Sequence, residues 1–313
     1  MADLENRDAF FGGRRFDVEQ ALDMFAYSYV HFPAAGLYDV QSLGKFAKTL
    51  KDCHIYFIGF LPRVSVLNSK QDGSVVSIEL GFLTERRWVS WDFPTGYRLK
   101  ELDGLWFVEG EDGQRYAPTE EQILLRLREQ HGPLQFDVKY IGQSYGREGS
   151  RSALDRLISH ETLQKIALRP APSGHVLTLL LVEVHPANQV LTILNPYAEE
   201  EDSDGSRIQA GLEKLYGTSE RERIALYEAA MIRYFRPEYN IEFKDSFPST
   251  RLKLLQDCYD KDFSAVVAEF CFDEIPFVLK SESVQAAAYH IVKHSLHTAS
   301  DRRMFFSNDA AGR

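Results

Sequence analysis

The sequence predicts a mixed α/β (α+β) protein built in two parts. Residues 1–130 form an N-terminal α+β module, residues 133–250 form a small mixed sheet flanked by helices, and a tail, 251–313, packs on one of the two. Three observations lead there. Apolar runs of strand length, bounded by Asn, Gly and Pro, fill the first part. A capped helix closes it. The second part then alternates strand, helix, strand, helix around a run, "HVLTLLLVEV", that is apolar on both faces, as a central strand requires.

In order along the chain, "DVEQALDMFAYSYV" and "DVQSLGKFAKTL" read as helices between Phe16 and Leu50. The strand-like runs "HIYFIGFL", "SVVSIELGFL", "RRWVSWDF" and "LDGLWFVEG" follow. "TEEQILLRLREQHG" predicts a helix capped by Thr119 and stopped by Gly132 at the C′ position. After it come the strand "FDVKYIG" and the helix "RSALDRLISHETLQKIA", in which Leu154, Leu157 and Ile158 make the core-facing stripe. "HVLTLLLVEV" is expected to lie directly beside "FDVKYIG". The acidic stretch Ala198 to Gly205 reads as a solvated loop, and "SERERIALYEAAMIRYFRPEYN" as a helix ended by Pro237. The tail adds the runs "AVVAEFCF" and "PFVLKSES" and a final helix.

Composition narrows the function classes. Hydrophobic residues make up 44% and charged residues 26%, ordinary for a soluble globular chain of 313 residues. No apolar run reaches the roughly 18 residues of a membrane helix, so no membrane partner is expected. The N-terminus lacks the apolar core of a secretion signal, and three widely spaced cysteines argue against a disulfide framework. A reducing, cytoplasmic setting follows as the expectation. The net charge of −10 disfavours a nonspecific nucleic-acid coat while leaving room for a local basic groove.

Chemistry-bearing residues collect in the second part. Gly142 ends a strand where a backbone or a phosphate can approach closely. Arg156 and His160 are four residues apart on a predicted helix and so share a face. Glu228 falls in the middle of the apolar stripe Ile224, Tyr227, Met231 and Phe235. A carboxylate there is costly unless it is paired or binds a metal. It could instead pair with a buried Arg or lie at the stripe's exposed end. His290, His294 and His297 fall on one face of the predicted last helix, a spacing able to hold zinc; a His-rich surface face gives the same pattern. The glycines of "YGREGS" offer a phosphate nest or simply a flexible loop. The aromatics of "RRWVSWDFPTGY" offer base stacking or the packed face of a sheet.

The ordered pieces "KYIGQS", "DRLISH" and "YEAAMIRYFRPEYN" resemble the GIY-YIG nuclease family over about residues 133–248. The resemblance implies a metal-dependent endonuclease acting on DNA, with RNA also open, in a role such as restriction or antiviral defence. It implies that Tyr140 lines the cleft, Arg156 contacts the scissile phosphate and His160 stands one turn on. Glu228 would bind a single Mg²⁺ or Mn²⁺, and Asn240 would close the motif. Tyr140 or His160 would take the proton of the attacking water; an imidazole of ordinary pKa, about 6.5, suits that role. The family's first strand, with its own Gly-Ile-Tyr, does not stand in its usual place about ten residues earlier, where "LREQHGP" lies. "GLW" at Gly104 and "GLY" at Gly36 are the candidates for a displaced copy, while "HIYFIGF" around Tyr56 reads as a core strand. The competing class is a catalytically degenerate member that binds nucleic acid or protein. The oligomeric state stays open, a homo-oligomer included.

Overall fold

A computed structural model describes residues 16–102, 105–144, 153–195, 198, 200–241, 244, 256, 258 and 263–296. Its centre is an eight-stranded sheet. The strands are β1 (Val18–Pro33), β2 (Ile55–Pro62), β9 (Leu134–Gln143), β10 (His175–Val184), β11 (Gln189–Leu194), β12 (Ala265–Cys271), β13 (Phe277–Lys280) and β14 (Tyr289–Ser295). Their order is β13-β9-β2-β10-β1-β12-β14, with β11 also paired to β1. Strands from all three sequence segments therefore share one sheet.

β1 organises it. Its first half runs antiparallel to β11 and parallel to β12, and its second half runs antiparallel to β10. The sequence reading of this segment as a helix is corrected here. Residues 18–24 are buried on both faces, so the period-2 pattern of a strand is hidden. Glu19, Gln20 and Asp23 are buried among them. Glu19 accepts a hydrogen bond from Ser264 Oγ and lies 3.9 Å from Arg207. From Phe25 onward the aromatic and β-branched side chains favour extended backbone in any case.

"FDVKYIG" and "HVLTLLLVEV" are both strands, as expected, but they are not neighbours. β2 lies between them, antiparallel to each. The chain leaves β2, builds two three-stranded meanders, and returns into β9. The meanders are β3 (Ser65–Asp72), β4 (Val75–Phe82) and β5 (Glu85–Asp92), then β6 (Arg98–Leu102), β7 (Leu105–Glu109) and β8 (Arg115–Tyr116).

Helices cover both faces. The short helices α1 (Val40–Gly44) and α2 (Ala47–Asp52) fall where the sequence places a helix. Helix α3 (Glu120–His131) has the expected ends: a reciprocal capping box between Thr119 and Gln122, and Gly132 at φ 98°. The single helix predicted after Arg151 is two, α4 (Ala153–Ile158) and α5 (Glu161–Ala167), because His160 is a cap and not a helical residue. Leu157 is buried as expected, whereas Ile158 is exposed. Helices α6 (Ser206–Gly217) and α7 (Glu220–Phe235) complete the set. The acidic stretch before α6 is ordered locally by Asp202, whose carboxylate accepts from the Arg207 N–H at 3.2 Å.

The predicted last helix is strand β14, paired antiparallel with β12. Tyr289, Ile291 and Val292 favour that state, and alternation puts His290 and His294 on one face. His290 Nδ1 lies 3.1 Å from the Tyr234 hydroxyl, and His294 Nε2 donates to Ala230 O at 3.0 Å. Burial lowers both imidazoles to about 4. They pack a strand onto α7, and among the described residues they join no group of three placed to hold a metal ion; His297 lies outside the described residues. Among the described residues, no helix is long and apolar enough to cross a membrane.

Candidate active site

The two faces of the sheet carry different helices. Phe57, Phe136, Val138 and Ile141 pack in the cluster that contains α7. Tyr56, Ile58 and Tyr140 pack on the other side, with Leu157 of α4 and Leu163 and Ile166 of α5. β13 pairs only with Leu134–Asp137 of β9. Among the described residues, 138–143 of β9 have no strand beside them on the side away from β2, and Tyr140 lies on this edge with Asn240 bonded to it.

Tyr56 is a candidate site residue that the sequence reading did not single out. It is 1% exposed and stands opposite Gly142 across β2 and β9. Its ring stacks with Tyr140 at a centroid distance of 6.2 Å and meets His160 edge-on at 5.5 Å. Tyr140 is itself 5.1 Å from the His160 ring. Gly142 makes room: a Cβ there would come within 2.6 Å of both Cζ and the hydroxyl oxygen of Tyr56. "HIYFIG" is a core strand, as read, and also the strand directly beside Tyr-Ile-Gly. Of the proposed displaced strands, Leu105 and Trp106 belong to β7 in a separate sheet, and Tyr38 is the exposed last residue of a 3₁₀ turn. The signal available was the tyrosine of "HIY"; its register with a strand far along the chain was not.

The electrostatics tie this pair to the other predicted residues. Burial raises the Tyr56 phenol well above its usual range, and Tyr140 and Glu228 add to the shift. A hydrogen bond from Arg156, together with its charge, offsets part of that. Arg156 is exposed in the last turn of α4, close enough to the Tyr56 phenol to favour its ionised form. Glu228 is half-buried on α7, on the edge of the stripe and not at its centre. Ile224, Tyr227, Met231 and Phe235 are all buried, as expected.

His160 departs from its expected place. It does not share a helical face with Arg156; it is the N-cap of α5, where its Nδ1 accepts the Leu163 N–H at 3.2 Å. That bond fixes the tautomer with the proton on Nε2. Burial, then Arg156, lower its pKa, while Glu161 opposes them. With one nitrogen accepting and the other protonated, the ring has no spare lone pair.

Asn240 is 7% exposed and clamps the strand: its Oδ1 accepts the Ile141 N–H at 3.0 Å, and its Nδ2 donates to Ile141 O at 2.8 Å. It acts as a one-residue β-partner for the free edge of β9 and aligns Tyr140. The glycine-rich loop after Ser144 lies outside the described residues, apart from Ser144 itself. The Trp88 ring lies under the Lys70 ammonium at 4.4 Å, and Trp91 packs on the core.

Among the described residues there is no group of three His, Cys, Asp or Glu side chains placed to hold a metal ion. A single carboxylate is still a sufficient protein contribution for Mg²⁺, which keeps several of its waters and takes one or two carboxylates. Glu228, half in solvent, fits that requirement. No protein-family model, curated protein or solved structure matches the chain.

Proposed function

We propose that this chain is a metal-dependent endonuclease of the GIY-YIG type that hydrolyses phosphodiester bonds in DNA. The observation that carries the reading is the pairing of Tyr56 with Tyr140 over Gly142, with the His160 ring against both and Arg156 and Glu228 close enough to shift the Tyr56 phenol. That pairing supplies the two tyrosine strands side by side, although residues 63–133 separate them in the chain.

Arg156 clamps a nonbridging phosphate oxygen, a role suited to its forked donors. Glu228 would hold Mg²⁺ or Mn²⁺, which would supply charge stabilisation at the leaving oxygen when bound. The proton of the attacking water falls to the phenols and not to His160, whose lone pair is committed to α5. Arg156 favours the phenolate that results, and burial makes that phenolate a strong base present in small fraction. His160 orders the rings against which the water sits. The segment between β2 and β9 belongs to target selection in this reading.

The test is direct. Supercoiled plasmid incubated with the full chain is expected to be nicked or linearised with Mg²⁺ or Mn²⁺ and to survive in chelator. Tyr56→Phe should retain the fold and lose most of the cleavage. Plasmid that stays intact with either metal would sink the reading and favour a binding protein on the same scaffold.

A further inference from the structure

Alternation along β9 puts Leu134, Phe136 and Val138 on the α7 side of the sheet, and continued alternation would put Tyr140 there too. Instead Tyr140 packs on the opposite side with Tyr56, and Ile141 takes the α7 side. The pairing with β2 gives the reason. Tyr140 stands opposite Ile58 and Val138 opposite Gly59, so Lys139 is one residue more than β2 can match. This bulge reverses the phase of the strand just before the tyrosine.

The bulge is held from several directions. Tyr239 N–H donates to Lys139 O at 3.1 Å. The Lys139 ammonium lies 3.2 Å from Asp137, 3.8 Å from Glu238 and 3.9 Å from Glu282. These carboxylates come from β9 itself, the turn after α7 and the loop after β13. The lysine side chain is only 13% exposed, and the three carboxylates gather around its ammonium. Opposite the bulge, a Cβ at Gly59 would collide with the Asp137 carbonyl and the Phe136 ring.

We propose that Lys139 is a positioning residue: its ammonium pins the extra residue of β9 and so keeps Tyr140 on the face where it meets Tyr56. The catalytic consequence rests on the nuclease reading; the placement of Tyr140 does not. The charge is the feature the test isolates, because the main-chain bond to Tyr239 and the Asn240 clamp do not involve the Lys139 side chain.

The test compares Lys139→Met, which keeps chain length and stem, with Lys139→Arg, which restores a cation. In 3-fluorotyrosine-labelled protein, Tyr56 and Tyr140 are assigned by their Phe variants. Both ¹⁹F resonances are expected to move in Lys139→Met and to return in Lys139→Arg. On plasmid, Lys139→Met should lower kcat on the order of 100-fold with KM little changed, the cost of a misplaced group, and Lys139→Arg should recover most of it. Unmoved tyrosine resonances in Lys139→Met overturn the proposal. A wild type that does not cut, with resonances that shift as described, strikes down the nuclease reading and leaves the positioning role standing.

Discussion

The phenol of Tyr56 occupies the space that a side chain at position 142 would need. The two residues face each other across antiparallel strands, and an added Cβ at Gly142 would also come within 2.8 Å of the Tyr140 ring. Gly142→Ala should therefore push Tyr56 out of its place. The expected cost is about 1–3 kcal/mol, as for other overpacked sites, with a larger loss of cleavage. Chemical denaturation read beside plasmid cleavage checks this; an unchanged midpoint with unchanged cleavage would mean that the ring moves aside freely.

Glu228→Gln removes a charge from a half-buried position and keeps the shape. Stability should change by no more than about 0.5 kcal/mol, as at other partly exposed sites. Cleavage should fall on the order of a thousandfold if the carboxylate holds the metal. A Tm measurement and a plasmid time course in Mg²⁺ separate the two effects. Normal cleavage by the variant would reduce Glu228 to a structural acid.

Asn240→Ala should cost roughly 2–4 kcal/mol, since it strips partners from both the N–H and the C=O of Ile141 in a buried setting. Hydrogen exchange at Ile141 should accelerate in the variant. Protection equal to wild type would show that another group takes over the clamp.

Asp23 gives a pH signature. It is 5% exposed, Oδ1 has no hydrogen-bond partner among the described residues, and burial with Glu269 nearby raises its carboxyl to about 7. A raised folded pKa means the contribution is intact below the unfolded value of 3.8 and is lost as pH climbs toward 7. Asp23→Asn should thus gain stability over wild type at pH 8, by up to about 4 kcal/mol, and gain little at pH 4. Equal gains at both pH values would refute the ionisation argument.

Much of the fold was legible where a pattern is local. Thr119 and Gly132 bound α3 as chain chemistry dictates, and Tyr140, Arg156 and Glu228 stood out as candidates from short motifs. What escaped was non-local. β1 read as a helix because Glu19, Gln20 and Asp23 interrupt its alternation, and their burial is settled by Ser264, Arg207 and neighbouring strands. Tyr56 was identified as a core residue but not as the partner of Tyr140, because pairing register across a sheet leaves no mark on either strand alone. His160 looked helical until its ring proved to be the cap of the next helix.

The separation of β2 from β9 by residues 63–133 bears on how the chain folds. Two strands joined by a tight turn would zip within microseconds as a local hairpin. Here the same ladder closes a loop of two meanders and a helix. Were that segment slack, the closure would cost roughly 2–3 kcal/mol more entropy than a short turn. Folding the segment first draws its ends together and removes most of that cost. The pair of tyrosines is therefore expected to form after the segment between them has compacted, and the contact is of the non-local kind that slows folding. Grafting a short turn in place of residues 63–133 would convert this non-local ladder into a local hairpin.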